Sequence, residues 1–309
     1  VHSLVRRILF APLVFVVVAT VIYGGMHVLR PDMYPGRSLV GGVAHDLDRT
    51  LFHLDFGCAS SYPGCPSEVS LWQRSAPADL WLLGGALLLG AGVGIAAGLW
   101  CAAHPGSWLS RGIQSVASVV YCTPVYVAGL ASLFLFNSTF GRVHIPGFFD
   151  AEPHWVTPWG DPWLWFRTYL VPWLILGAPL AGMCLRLTMA TARESLGEDY
   201  MRTAEAKGLR STRIIRRHLG PPAYAVNASF LGVSVPLIVT NMVLVERVMS
   251  VPGFFEYTYK AQGHNPESAI DYATLEAMAL WAAVIIIVLG VLGDAITGKI
   301  DPRVRDAAF

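Results

Sequence analysis

Near the end of the sequence, Gly293, Gly298 and Lys299 fit the GxxxxGK spacing of a loop that cradles nucleotide phosphates. Ile300 stands where a Ser or Thr hydroxyl must hold magnesium, and the run closes an apolar stretch instead of joining a strand to a helix. Lys299 therefore reads as a charge that anchors a membrane helix. His144, His154 and His264 fall in three separate stretches, and no Ser-His-Asp order, carboxylate pair or His and Cys spacing gathers on one segment, so neither a metal site nor a catalytic residue is expected. Glu276 and Asp294 lie near the two ends of one apolar stretch, which leaves little mid-span chemistry for an ion-coupled secondary transporter. Cys58 and Cys65 either close a small ring on an oxidising side of a membrane or remain thiols. Cys101, Cys122 and Cys184 are isolated in or beside apolar runs and read as small packing residues.

The elements that would position these groups are membrane helices. Of 309 residues, 54% are hydrophobic and 14% charged, against about 25% charged in soluble domains, and the mean hydropathy is +0.51. A formal net charge of +1 gives no reason to expect nucleic acid as a partner. Crossing roughly 30 Å of hydrocarbon takes about 20 apolar residues. Six stretches qualify: Ile8 to Leu29, Leu80 to Trp100, Ile113 to Phe136, Tyr169 to Ala190, Asn227 to Val245 and Leu275 to Thr297. The first has a longer apolar core than a cleaved signal and is expected to be a retained anchor. The expected fold class is an all-α membrane protein, a bundle of six transmembrane helices. Residues 1–79 would form an anchor helix and a long extracytoplasmic loop, and residues 80–309 a core of five helices.

Cytoplasmic loops keep Lys and Arg. Arg6 and Arg7 before the first stretch, eight basic residues between Arg186 and Arg217, and Lys299, Arg303 and Arg305 after the last all fall on one side if six helices cross, with both termini cytoplasmic. In the three outer loops acidic side chains outnumber basic ones. Trp155, Trp159, Trp163 and Trp165 in the second outer loop suit the headgroup level. Ala86, Gly90, Gly94 and Gly98, each four apart, leave one face of the second span without bulk, a surface for close helix packing. Pro124, Pro172, Pro179 and Pro236 would interrupt helix hydrogen bonds where neighbours or a cavity can satisfy the freed groups.

The most informative stretch lies on the cytoplasmic side, at about 191–226. From Leu196 to Lys207 the residues favour helix, Gly208 suits the turn that ends one, and Ser211 can cap the next. A basic loop lying on anionic lipid would share this composition. The run from Tyr200 through Met201, Arg202, Thr203, Ala204, Glu205, Ala206 and Lys207 to Gly208 resembles the EAA loop of binding-protein-dependent ABC importer permeases, in the form typical of dipeptide and oligopeptide systems. Glu246-Arg247, Pro252-Gly253-Phe254 and Asp301-Pro302-Arg303 follow in family order. Asp55-Phe56-Gly57 and Pro77 are similar to the first, B-type, permease of a pair. Gly220-Pro221-Pro222 departs from the family pattern and puts the start of the fifth span in question.

The resemblance implies a type I importer permease in a bacterial inner membrane, with no ATPase activity of its own. It implies a coupling segment of Glu198, Asp199, Tyr200, Arg202, Thr203, Ala204, Glu205, Ala206, Lys207 and Gly208 that docks on a separate ATPase, where ATP and magnesium bind. The further partners it implies are a homologous second permease, two ATPase domains, an extracytoplasmic substrate-binding protein and membrane lipid. Relatives of this branch carry nickel, glutathione or haem-like cargo as well as peptides, and no substrate-binding residue is assigned. A secondary transporter and a membrane-embedded enzyme are the rival readings.

Overall fold

The computed structural model describes residues 2–29, 38–60, 63–136, 155–199, 201, 214–215, 219–257 and 270–300. Among the described residues the chain is helical, with one isolated bridge between Cys58 and Ser67. The helices are α1 (His2–Leu29), α2 (Leu39–His53), α3 (Glu68–Ala103), α4 (Trp108–Cys122), α5 (Val125–Phe136), α6 (Pro162–Leu196), α7 (Gly220–Met249) and α8 (Tyr272–Ile300). A short 3-10 helix, Phe254–Tyr257, follows α7.

Five helices, α1, α3, α6, α7 and α8, are long and apolar enough to cross a membrane. The third expected span departs from a straight helix. It breaks at Thr123-Pro124 into α4 and α5, which are bent by 103° and make a sixth span only if counted together. Proline supplies the cause: Pro124 has no N–H to donate back into α4 and disfavours a helical conformation at Thr123, whose φ of −81° and ψ of 122° are extended. Pro172 and Pro179 stay inside α6, and Pro236 inside α7. Pro221 and Pro222 fall at the first positions of α7, where a missing N–H costs no helix bond, so this helix begins at Gly220, ahead of the expected Asn227.

Contacts divide the chain into two compact units. The first comprises residues 1–79 and 252–292. Here α2 lies against α1: Tyr23 hydrogen-bonds Thr50, and His27 Nε2 stands 3.7 Å from Asp46 Oδ2. Gly42 makes room for the His27 ring, because a Cβ there would sit 2.1 Å from Nε2. Ala19, Tyr23, Val43 and Leu280 close the apolar core of this unit. After α2, Cys58 and Cys65 are joined by a disulfide with an S–S distance of 2.04 Å.

The second unit comprises residues 80–251 and 293–309. Its axis is the contact of α3 with α6. A Cβ on Gly90 would stand 2.7 Å from the Gly177 carbonyl oxygen, one on Gly94 2.5 Å from that of Ala181, and one on Gly98 2.6 Å from Thr188 Cβ. The Ala86 carbonyl oxygen in turn lies 2.7 Å from where a Gly177 Cβ would be. The face Ala86, Gly90, Gly94, Gly98 is thus occupied within the chain, and backbones approach because neither helix carries bulk there.

Gly94→Leu drives a side chain into the backbone of α6 and is expected to lower stability by about 1–3 kcal/mol or more, the cost of overpacking. Gly92→Leu, with nothing within 4 Å of its Cβ, is the control that leaves stability unchanged. Thermal melts of the two purified variants followed by tryptophan fluorescence check the difference.

Candidate functional site

At the end of the second unit that carries its basic residues, α6 stops at Leu196. The Gly197 N–H bonds the carbonyl of Glu194 at 3.0 Å, and the Met201 N–H that of Glu198 at 3.0 Å. Glu198 and Asp199 are exposed. The remaining expected docking residues, Tyr200, Arg202, Thr203, Ala204, Glu205, Ala206, Lys207 and Gly208, lie outside the described residues. What surrounds them on either side is well defined. Met201 is 1% exposed and Ile214 9%, and both enter one apolar cluster with Leu99 and Ala102 of α3, Ala192 of α6, and Leu219 and Ala223 at the start of α7. Met201 and Ile214 are thereby held against the same three helices.

Just beyond this cluster the three helices meet again. Asn227 of α7, 1% exposed, donates from Nδ2 to Thr188 Oγ1 of α6 and to the Ala223 carbonyl, each at 2.8 Å. Thr188 is the residue against which Gly98 of α3 packs. A buried amide of this kind is held by its hydrogen bonds, which would otherwise be lost to a dry interior. Neither Met201 nor Asn227 stands out among expected site residues. Met201 has a sequence signal, as the one large apolar side chain between Leu196 and Leu209 apart from Tyr200. Asn227 has a weaker one, a lone amide where an apolar run begins.

The first unit carries a buried polar junction. Asp79 is 0% exposed; Oδ1 accepts the Phe254 N–H at 2.8 Å and Oδ2 the Trp281 Nε1–H at 2.6 Å. The carboxylate thereby joins α3, the 3-10 helix and α8. Eleven residues earlier, Glu68 Oε1 accepts from Thr274 Oγ1 at 2.6 Å, and Trp72 packs edge-on against Trp281. In the loop before α3, Asp55 accepts the Gly57 N–H at 2.9 Å and two N–H bonds from Arg49 at 2.8 and 3.0 Å. The Gly57 amide, with the Arg49 guanidinium, holds the Asp55 carboxyl below the usual carboxylate range.

The tryptophans of the second outer loop divide. Trp159 and Trp163 are 86% and 64% exposed, as side chains at a headgroup level would be. Trp165 instead packs edge-on against Trp81 and Trp173, and Trp155 against Tyr169. Trp173 donates from Nε1 to the Trp81 carbonyl at 2.8 Å and lies over Gly85, so an aromatic cluster fills the far end of the α3 and α6 contact. Among the described residues no group of His, Cys, Asp and Glu is arranged to hold a metal.

Met201→Ala should cost about 2–5 kcal/mol, the range for truncating a buried large side chain, whereas Glu198→Ala at an exposed position should stay within about 0.5 kcal/mol. Denaturation midpoints of the purified variants check this. Asp55 supplies a pH dependence: a depressed carboxyl stabilises above its unfolded value, and that contribution is lost as pH falls through the depressed value. Asp55→Asn is expected to lower the melting temperature slightly at pH 7, with the difference from wild type shrinking as pH falls below the ordinary carboxylate value of about 3.9, as read by melts across pH.

Residues 94–306 match the family described as the binding-protein-dependent transport system inner membrane component. The chain is 30% identical over 226 residues to the dipeptide transport system permease protein DppB of Haemophilus influenzae, covering 69% of this chain and 66% of that protein. It is 27% identical over 258 residues to the protein of the same name in Escherichia coli strain K12, covering 77% and 75% of the two. It is also 24% identical over 325 residues to the glutathione transport system permease protein GsiC of that strain, covering 98% and 99%. The match extends over more than two thirds of the sequence and includes the helices that meet at the Met201 cluster. The chain belongs to the family of binding-protein-dependent transport system inner membrane components.

Proposed function

We propose that this chain is the first of two paired permeases in an ATP-driven importer of dipeptides or oligopeptides, and that it takes its driving motion from a separate ATPase through residues 198–208. The observation that carries the coupling role is the burial of Met201 and Ile214 in one cluster with α3, α6 and α7. A segment held at both ends by these helices cannot be displaced by a partner without moving them. The basic residues of α6 and of the sequence after it support a cytoplasmic position for this end, with both termini on the same side.

In this reading Tyr200, Ala204 and Lys207 meet the ATPase, and Gly208 sets the angle of the chain beyond. ATP and magnesium sit in the partner. Closure of two ATPase domains shifts the helices between inward-facing and outward-facing states, each favoured by differential contact with the nucleotide-bound or nucleotide-free partner. A second permease completes the pathway, and an extracytoplasmic binding protein delivers the cargo. Relatives named as dipeptide permeases support peptide as that cargo. A full-length relative named as a glutathione permease supports a second reading, glutathione, itself a modified tripeptide.

Uptake by the assembled importer in proteoliposomes, with a labelled dipeptide and labelled glutathione in competition, is expected to require ATP inside and to favour the dipeptide. Gly208→Pro and Ala204→Arg are expected to abolish uptake and ATPase co-purification while membrane insertion is unchanged. Wild-type uptake by both variants would remove the coupling role from this segment, and preferential uptake of glutathione would reassign the cargo.

A further inference from the structure

Between α3, α4 and α6 runs a groove with a cavity volume of about 450 Å³. Its walls are apolar throughout, with Val93 from α3, Val116 and Val120 from α4, and Leu174 and Leu185 from α6. Val93, Val116 and Leu174 are more than half exposed. From Leu185 to Trp173 the groove follows α6 for about 18 Å at 1.5 Å per residue, close to the roughly 15 Å of hydrocarbon in one leaflet. Leu185 also borders a second hollow of about 200 Å³ toward the basic end, lined by Gln114, Ser118, Arg186 and Arg193 and, among the described residues, by no carboxylate. Arg186 donates to Ser118 Oγ at 2.9 Å and its guanidinium carbon lies 5.1 Å from the centre of the Tyr121 ring, which holds it against α4 at the second hollow.

We propose that these two neighbouring hollows, which share Leu185, bind one anionic phospholipid, its phosphate at Arg186 and Arg193 and an acyl chain along the groove. The two guanidiniums are complementary to a phosphate, which they can engage through several N–H donors at once, and basic pockets between membrane helices on the cytoplasmic side take lipid headgroups in this way. A methylene occupies about the volume of a water, roughly 30 Å³, so 450 Å³ holds on the order of fifteen, an acyl chain's worth. A helix about 10 Å across would need about three times that volume over the same length. Gly90, Gly94 and Gly177 in the groove wall are already spent on the α3 and α6 contact. The placement of the phosphate in the cytoplasmic leaflet rests on the orientation proposed above, but retention of the lipid does not depend on what the importer carries.

The full-length chain, purified from membranes containing phosphatidylglycerol and phosphatidylethanolamine, is examined by native mass spectrometry and extraction of the lipid it retains. Wild type is expected to keep phosphatidylglycerol at about one per chain, R186Q/R193Q to lose it about tenfold, and R186K/R193K to keep most of it. Val116→Trp, which fills the groove and leaves both arginines, is expected to lose it as well. Equal retention by wild type and R186Q/R193Q, or by wild type and Val116→Trp, would overturn the site. So would a lipid-free wild type together with a Val116→Cys variant, in a Cys122→Ser background, that is shielded from maleimide only when the neighbouring permease is present, an outcome that would make the groove a protein interface.

Discussion

Two helices can bring their backbones together only where both lack side chains, and α3 and α6 meet in this way over three successive turns. Gly90 faces Gly177, Gly94 faces Ala181, and Gly98 faces Thr188. In lipid, where apolar burial drives helix association little, such dispersion contact is what holds a pair in one register. This register is felt at both ends of the pair. At one end it sets Trp173 over Gly85 and beside Trp81 and Trp165. At the other it brings Leu99 and Ala102 beside Ala192, where Met201, Ile214 and Leu219 close over them.

Polar groups then finish what packing begins. Thr188 receives the Asn227 amide and so adds α7 to the pair. Arg186 reaches Ser118 and holds α4 to α6. In the first unit Asp79 does comparable work, taking one N–H from backbone and one from an indole on different elements. Asn227, Thr188 and Asp79 are buried; each is costly to bury and is stabilised only while its partners are in place, so each selects one arrangement of helices over near alternatives. At the basic end Met201, Ile214 and Leu219 are held in one cluster with α3, α6 and α7.

The apolar runs made five spans legible from composition, because length and hydropathy alone decide whether a helix can cross. The glycine row from Ala86 to Gly98 was legible as a packing face, while its partner on α6 was not: Gly177, Ala181 and Thr188 do not repeat at one interval, and Pro179 lies among them. The bend at Pro124 was visible as a proline but not as a 103° break, since the angle depends on how α4 and α5 pack on their neighbours. Asp79 and Asn227 look in sequence like polar boundary residues. Their roles come from partners 202 and 39 residues away, which no local pattern encodes. The tryptophans divided for a similar reason, Trp159 and Trp163 remaining exposed while Trp165 found Trp81 and Trp173 across the α3 and α6 contact.

Met201 shares one cluster with the ends of α3, α6 and α7, and coupling through it requires that they move together. The most direct test links Met201→Cys to Leu219→Cys with a short bifunctional thiol reagent, in a background carrying Cys122→Ser, and compares ATP-driven uptake by the assembled importer before and after linking. Uptake is expected to survive the link, because the two positions stay together throughout the cycle. Loss of uptake on linking, restored when the link is cleaved, would contradict it and show that the cluster must open for transport.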